Sequence, residues 1–180
     1  MVQSYQNMLK ISRIKTSKEA TECARILFDS LATDFPYKKE TIVKYQEEFC
    51  GDFFSKIRNK KDHIIFGGYD AVGKLMGFAQ LDPSVGGVAD LNWIIVSPEF
   101  RGLGVGSDLL KFCENWLLKR HFHFFKLCTE SKINREIFYP RHGFKLVGIY
   151  ENSWYGENEY IFAKHLASQP FKEVFKPDHS

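Results

Sequence analysis

Residues 91–107 constrain the fold more than any other part of the chain. The segment begins with an apolar run typical of a buried strand and continues into a loop with glycines at positions 102, 104 and 106. Leu109, Leu110, Cys113 and Leu117 then follow at helical spacing. Glycines let backbone N–H groups converge on an anion, and a helix N-terminus adds unpaired N–H donors. This predicts a phosphate or pyrophosphate site, the alternative being a turn that only packs strand against helix.

The periodicity of apolar residues predicts the other elements. Thr16 and Glu19 have the spacing of a capping box, and a helix follows them. A second helix is predicted at residues 39–57, and a short one at 134–142. Strands are predicted at residues 9–14, 63–69, 74–81, 89–96, 124–129, 145–150 and 159–165. The order β-α-α-β-β-β-α-β-α-β-β indicates an α+β fold, with one domain at residues 1–167 and a tail at 168–180.

Composition excludes several classes of protein. The chain has 180 residues, of which 44% are hydrophobic and 26% charged, as in one globular domain. Its 25 Lys and Arg against 22 Asp and Glu leave a net charge of +3, so no nucleic-acid partner is expected. No apolar run approaches the roughly 20 residues that cross a bilayer, and the N-terminus lacks the apolar stretch of a signal peptide. We therefore expect a cytoplasmic protein with no membrane partner.

The cysteines and histidines give no metal site. Cys23, Cys50, Cys113 and Cys128 are scattered and form no CxxC pair, which predicts reduced, buried thiols rather than zinc ligands or disulfides. His121 and His123 have a spacing that two metal ligands could use, but no third ligand is nearby in sequence. No metal is expected.

The glycine loop matches one known phosphate pattern and fails two others. It lacks the Gly-Lys-Ser/Thr of a P-loop, and Ser107 and Leu109 stand where a dinucleotide fingerprint would need its last glycine. Arg-x-x-Gly-x-Gly does fit, beginning at Arg101. In this position it resembles the coenzyme A pyrophosphate loop of the GNAT superfamily of N-acetyltransferases.

A second segment, residues 134–144, resembles the later GNAT signature. Asn134 opens a short helix, Tyr139 lies on it, and Gly143 and Phe144 begin the next strand. The resemblance covers residues 11–166. It implies a mixed, mostly antiparallel sheet flanked by helices, and an enzyme that transfers acetyl from acetyl-CoA directly to a primary amine. A homodimer is also an expectation.

The resemblance assigns a role in binding acetyl-CoA to part of the fourth strand, to the glycine loop and to one asparagine. The strand backbone would hydrogen-bond the pantetheine arm, and the loop amides would hold the pyrophosphate. Asn134 would bind near the pantetheine or, alternatively, only cap its helix. The residues are Ile94, Ile95, Val96, Arg101, Gly102, Leu103, Gly104, Val105, Gly106, Ser107 and Asn134.

Two residues are the catalytic candidates. The resemblance makes Tyr139 the general acid that protonates the leaving thiolate, the alternative being a core aromatic. Asp90 has the strand position at which related histone acetyltransferases place a glutamate, so it is the candidate base, directly or through a water; alternatively it only ends a turn. A non-catalytic acyl-CoA-binding module or sensor with the same fold is the alternative function.

Two aromatic loops are the candidate acceptor site. Phe35 and Tyr37 lie in the segment between the first two helices, and Trp154 and Tyr155 in the loop before the last strand. Both loops also carry carboxylates, and aromatic faces near carboxylates suit an ammonium group. We therefore expect a cationic amine as acceptor, either a small molecule or a peptide amino group.

Overall fold

The structure is a computed structural model that describes residues 9–34, 38–48, 54, 56, 63–130, 135–153 and 156–166. Its helices are α1 (Ser17–Asp34), α2 (Lys39–Glu48), α3 (Val105–Leu118) and α4 (Arg135–Arg141). Its strands are β1 (Lys10–Arg13), β2 (Ile64–Tyr69), β3 (Leu75–Pro83), β4 (Val88–Val96), β5 (Phe124–Glu130), β6 (Lys145–Tyr150) and β7 (Glu159–His165). The predicted order of elements is confirmed. Whether α2 continues to residue 57 lies outside the described residues.

The seven strands hydrogen-bond in the order β1-β2-β3-β4-β5-β7-β6. Strand pairs β1–β2, β2–β3, β5–β7 and β6–β7 are antiparallel, and β4–β5 is parallel. The predicted α+β class, with a mixed and mostly antiparallel sheet and accompanying helices, is therefore confirmed.

The chain divides into two compact units. The first unit comprises Met1–Asp82 and Asn92–Cys113, and the second comprises Pro83–Leu91 and Glu114–Ser180. In the first unit, α1 buries one face, as its helical spacing predicts. The buried α1 residues are Ala20, Cys23, Ala24, Ile26, Leu27, Ser30 and Leu31. Strand β2 is buried along most of its length, and Phe66 contacts Phe112 of α3 edge-on.

The N-terminus of α1 has the predicted capping box. The Glu19 N–H donates to Thr16 Oγ1 at 3.2 Å, and the Thr16 N–H donates to Glu19 Oε2 at 2.8 Å. Tyr69 of β2 adds a hydrogen bond from its hydroxyl to Glu19 Oε1 at 2.7 Å. Burial alone would raise the pKa of Glu19, but the hydrogen bonds from Tyr69 and from the Thr16 and Lys15 backbones outweigh it and lower the pKa to about 2. The carboxylate thus links α1 to β2.

This linkage predicts an acid-dependent stability. Because the folded pKa of about 2 lies below the ordinary 4.5, the contribution of Glu19 is complete above pH 4.5 and is lost as the pH falls towards 2. Glu19→Gln should lower stability at pH 7 by about 1 kcal/mol, the usual worth of a cap on a partly exposed group. Its melting temperature should also fall less steeply than that of the wild type between pH 4.5 and 2. Glu40→Gln, an exposed first-turn glutamate of α2, is the control; identical acid profiles for both variants would contradict the linkage.

The second unit has an aromatic core. Phe125 of β5, Phe144 beside β6 and Phe162 of β7 are each at most 2% exposed. At the end of α4, the Lys164 ammonium donates to Glu114 Oε1 and to the His142 carbonyl oxygen, both at 2.7 Å. These bonds hold the turn that leads from α4 into β6. None of the helices in the described ranges is long and apolar enough to span a membrane.

The prediction of reduced, buried thiols is correct for two residues, and for a third only the predicted burial is wrong. Cys23 and Cys113 are free and buried, whereas Cys128 is free and exposed. The reason is the alternation along β5, where Phe125, Leu127 and Thr129 are buried and Cys128 points to the opposite face. Cys50 lies outside the described residues.

Candidate active site

The glycine loop has a backbone conformation that needs glycine at two positions. Gly102 has φ of 73° and Gly104 has φ of 88°, both in the left-handed region. Helix α3 begins directly after Gly104, and the Asp108 N–H donates to the Gly104 carbonyl at 3.0 Å. The N–H groups of residues 105–107 precede this first intrahelical donor, so the helix itself gives them no acceptor. They form a donor set suited to an anion, at the positive end of the helix dipole.

Arg101 ties this loop to two neighbouring elements. Its Nε donates to the Val96 carbonyl at 3.2 Å, and its Nη2 donates to the Ser30 hydroxyl of α1 at 3.1 Å. Ser30 is 1% exposed, so this contact reaches into the core of the first unit. The guanidinium therefore holds the loop against β4 and α1.

Strand β4 changes its hydrogen-bonding partners along its length. Its parallel pairing with β5 joins Val88–Asp90 to Phe124–Lys126. Within the first unit, β4 follows β3 as the last strand of the sheet. The two strands are close there, since a Cβ on Gly77 of β3 would lie 2.6 Å from the Ile95 carbonyl oxygen of β4. Ile94, Ile95 and Val96 thus lie on the edge strand of that unit, and an edge strand can accept one more hydrogen-bonding partner.

Tyr139 is a buried member of the aromatic core of the second unit. It is 5% exposed, and its ring centroid lies 5.2 Å from that of Phe138, 5.8 Å from that of Phe144 and 5.6 Å from that of Phe162. The packing role considered from the sequence is therefore present. It fixes the ring on α4, and the role of the hydroxyl as a proton donor stays a prediction.

Asp90 lies within β4 and forms an ion pair across the sheet. It is the third residue of the strand, so it does not end a turn. The register places it opposite Lys126 of β5, whose Nζ donates to Asp90 Oδ1 at 2.5 Å. This hydrogen bond raises the pKa of Lys126. The candidate base thus already has one cationic partner.

A polar cluster on β3 was missed from the sequence. The third strand was predicted to end at residue 81, but β3 continues to Pro83 and the Asp82 carboxylate accepts three hydrogen bonds. His63 Nδ1 lies 2.5 Å from Oδ1, Gln80 Nε2 lies 3.4 Å from Oδ1, and Asn92 Nδ2 donates to Oδ2. The alternation in sequence of apolar Ala79 and Leu81 with polar Gln80 and Asp82 is the signal that would have extended the strand.

Several predicted site residues lie outside the described residues: Phe35, Tyr37, Asn134, Trp154 and Tyr155. Their assigned roles stay predictions. Over the described part of the chain, no group of three or more His, Cys, Asp or Glu side chains could hold a metal ion.

Sequence and structure comparisons identify the family. The family model described as "Acetyltransferase (GNAT) family" matches residues 24–144, a range that includes the glycine loop and Tyr139. The chain belongs to this GNAT family of acetyltransferases. The resemblance seen in the sequence is therefore confirmed, and so is the prediction of an acyltransferase. No curated protein matches the sequence at a significant level.

Solved GNAT structures share the fold. An N-acetyltransferase from Thermoplasma acidophilum in complex with coenzyme A has a TM-score of 0.72 and 19% identity, covering 87% of this chain and 98% of that one. The ribosomal-protein-S18-alanine N-acetyltransferase of Escherichia coli has a TM-score of 0.66 and 23% identity, covering 90% and 96%. A spermidine N-acetyltransferase variant from Vibrio cholerae has a TM-score of 0.70 and 14% identity, covering 89% and 95%. At these identities the likeness confirms the GNAT fold.

Proposed function

We propose that this GNAT protein transfers the acetyl group of acetyl-CoA directly to the primary amine of a cationic acceptor, either a small molecule or a peptide amino group. The observation that carries the proposal is the glycine loop. It combines positive φ at Gly102 and Gly104 with the N-terminus of α3, in the Arg-x-x-Gly-x-Gly pattern of the family. A diphosphate is the ligand that such a donor set suits.

The donor would lie along the end of β4 and the loop that follows it. The Ile94, Ile95 and Val96 backbone would pair with the pantetheine amides as an added strand. The loop from Gly102 to Ser107, with Leu103, Val105 and Gly106 among its amides, would hold the pyrophosphate. Arg101 would keep the loop in this shape through its bonds to Val96 and Ser30. Asn134 would contribute near the pantetheine.

The chemistry needs a proton acceptor and a proton donor. A free alkylamine is protonated at neutral pH, with a pKa near about 10, and only its neutral form has the lone pair that attacks the thioester carbonyl. We assign Asp90 to draw the ammonium in, and its carboxylate is the first candidate to take the proton, through a water, since Oδ1 already binds Lys126. As the C–N bond forms and the C–S bond breaks, the Tyr139 hydroxyl would give its proton to the leaving thiolate.

The cysteines favour direct transfer over an acetyl-cysteine intermediate. Cys113 is fully buried in α3, where no acyl donor can reach it. Cys128 is exposed as a residue, but partial desolvation is the largest cause that raises the pKa of its thiol. This thiol is therefore less often a thiolate than an ordinary cysteine. Because the thiolate is the nucleophile, neither residue is activated for attack.

The acceptor assignment predicts a change in KM. Phe35, Tyr37, Trp154 and Tyr155 are proposed to contact the acceptor through cation–π attraction, worth about 1–2 kcal/mol when partly desolvated. Trp154→Ala and Tyr155→Ala should therefore each raise the KM for the best cationic amine about 5- to 30-fold, with KM for acetyl-CoA unchanged. If an acidic amine is the best acceptor, or if neither variant raises KM, the acceptor assignment is wrong.

The experiment for the function has two stages. Calorimetry compares the binding of acetyl-CoA with that of NAD and ATP, and acetyl-CoA should bind most tightly. Release of the coenzyme A thiol is then measured over spermidine, lysine, short peptides and an aminoglycoside. Thiol release that depends on the amine supports the enzyme. Binding of acetyl-CoA without release for any amine would instead support the non-catalytic module.

A further inference from the structure

The Asp82 cluster, defined as His63, Gln80, Asp82 and Asn92, belongs entirely to the first unit and has no role in the function described so far. Both oxygens of the Asp82 carboxylate are used: Oδ1 by His63 and Gln80, and Oδ2 by Asn92. The side chains of His63 and Asp82 are each 27% exposed, so the pair is neither fully buried nor freely solvated. The cluster joins β3, β4 and the residue directly before β2 through one acceptor.

This arrangement fixes the tautomer of the neutral imidazole. An ionised carboxylate can only accept hydrogen bonds, so His63 Nδ1 must carry a hydrogen and donate it to Asp82. In the neutral ring, Nε2 is then the nitrogen with a free lone pair. Over the described residues, the only charged group in hydrogen-bond contact with His63 is Asp82, and the other two cluster members are neutral. Asp82 therefore holds the ring in the tautomer that a base requires.

The position of the cluster relates it to the proposed donor site. Asn92 lies on the face of β4 that also carries Ile94 and Val96, two and four residues further along the strand. Two residues of strand span about 7 Å. Gln80 is 2% exposed, and its Oε1 has no hydrogen-bond partner over the described residues. A buried acceptor of this kind is normally met by water or by a ligand N–H, so Gln80 Oε1 can accept one further hydrogen bond that the described residues do not supply.

We propose that His63, oriented by Asp82, receives the proton that acetyl transfer releases in place of Asp90, whose carboxylate already binds Lys126 and then only draws the ammonium in by its charge; this rests on the proposed function. An alkylammonium acceptor and acetyl-CoA give an amide, coenzyme A thiol and one proton. The N–H bond of the ammonium breaks, the lone pair left on nitrogen attacks the carbonyl carbon, and this first proton forms a bond to Nε2, directly or through water. The nitrogen loses a second proton as the C–S bond breaks, and that proton replaces the one that Tyr139 gives to the thiolate. An imidazole is a stronger base than a carboxylate, and it returns the proton to solvent after each turnover. Asn92 and Gln80 keep the Asp82 carboxylate in place.

His63→Asn separates this role from a structural one. The asparagine Nδ2 can replace Nδ1 as the donor to Asp82, whereas nothing replaces Nε2. We expect kcat to fall about 10²-fold, the low end for loss of a general base, with an unchanged Kd for acetyl-CoA. In the wild type, kcat should decline at acidic pH because a protonated Nε2 cannot accept the proton, and this contribution to the decline should be absent in the variant. His121→Asn is the matched control, because His121 is exposed and its φ of 63° is one that asparagine tolerates.

A second variant tests the orienting group. Asp82→Asn keeps the imidazole but offers Nδ1 an amide that can donate, which favours the wrong tautomer, so kcat should fall about tenfold. Equal kcat and an equal acidic decline in His63→Asn, Asp82→Asn and the wild type would overturn this inference alone. If the wild type neither binds acetyl-CoA nor acetylates any amine, the proposed function fails and this inference fails with it.

Discussion

Gly104→Val is expected to abolish acetyl-CoA binding. Gly104 has φ of 88°, which a β-branched residue adopts only at high cost, and it is the residue directly before the first residue of α3. A valine would force the loop into another conformation and turn the N–H groups of residues 105–107 away from a common point. Its side chain would also occupy space next to the pyrophosphate. Calorimetry should show no binding at an acetyl-CoA concentration of about 100 times the wild-type Kd. This corresponds to a loss of more than about 2.7 kcal/mol of binding free energy.

A matched control separates loss of the site from backbone strain. Gly73 lies in the turn between β2 and β3 with φ of 84°, and a Cβ there would meet no atom within 4 Å. Gly73→Val therefore imposes a similar strain at a position with no proposed role in binding. It should lower the melting temperature about as much as Gly104→Val and leave acetyl-CoA binding unchanged. Normal binding by Gly104→Val would mean that the pyrophosphate site is elsewhere.

Tyr139→Phe is expected to lower kcat about 10²-fold with little change in the Kd for acetyl-CoA, as for the loss of a general acid. The substitution removes only the hydroxyl. The ring keeps its contacts with Phe138, Phe144 and Phe162, so the aromatic core of the second unit stays packed. Steady-state kinetics with the best amine, together with a melting curve, measure the two effects separately.

The control for this variant is Tyr160→Phe. Tyr160 lies on β7 of the same unit, 6.4 Å from Phe162 between ring centroids, and it has no proposed catalytic role. It should keep the wild-type kcat. An unchanged kcat in Tyr139→Phe would leave Tyr139 with its packing role alone and would require another proton donor for the thiolate.

Most of the fold could be predicted because its signals are local. The period of two along β4 and the helical spacing in α1 depend on neighbouring residues alone, and the capping box needs only Thr16 and Glu19. The end of β3 was placed too early because its last residues are held by tertiary contacts. Asp82 reads as a turn residue in isolation, and its bonds to His63 and Asn92 keep it in the strand.

The candidate site shows the same division. The glycine loop could be found from sequence because each positive φ is tied to a glycine at a fixed position. The partners of Asp90 and Asp82 could not be found from sequence, because the folded sheet brings them together from distant positions. Lys126 is 36 residues from Asp90, and His63 is 19 residues from Asp82. The exposure of Cys128 likewise depends on which face of β5 is covered, so residue type alone could not predict that this cysteine is exposed.

The most direct test of the central claim is the fate of a labelled acetyl group. Acetyl-CoA with a deuterated acetyl group is incubated with the protein and spermidine, and the products are analysed by mass spectrometry. The proposed function predicts deuterated N-acetylspermidine in an amount equal to the coenzyme A thiol released, with no acetyl left on the protein. Tight binding of acetyl-CoA with no labelled amide, for spermidine, lysine, peptides or an aminoglycoside, would contradict the proposed function.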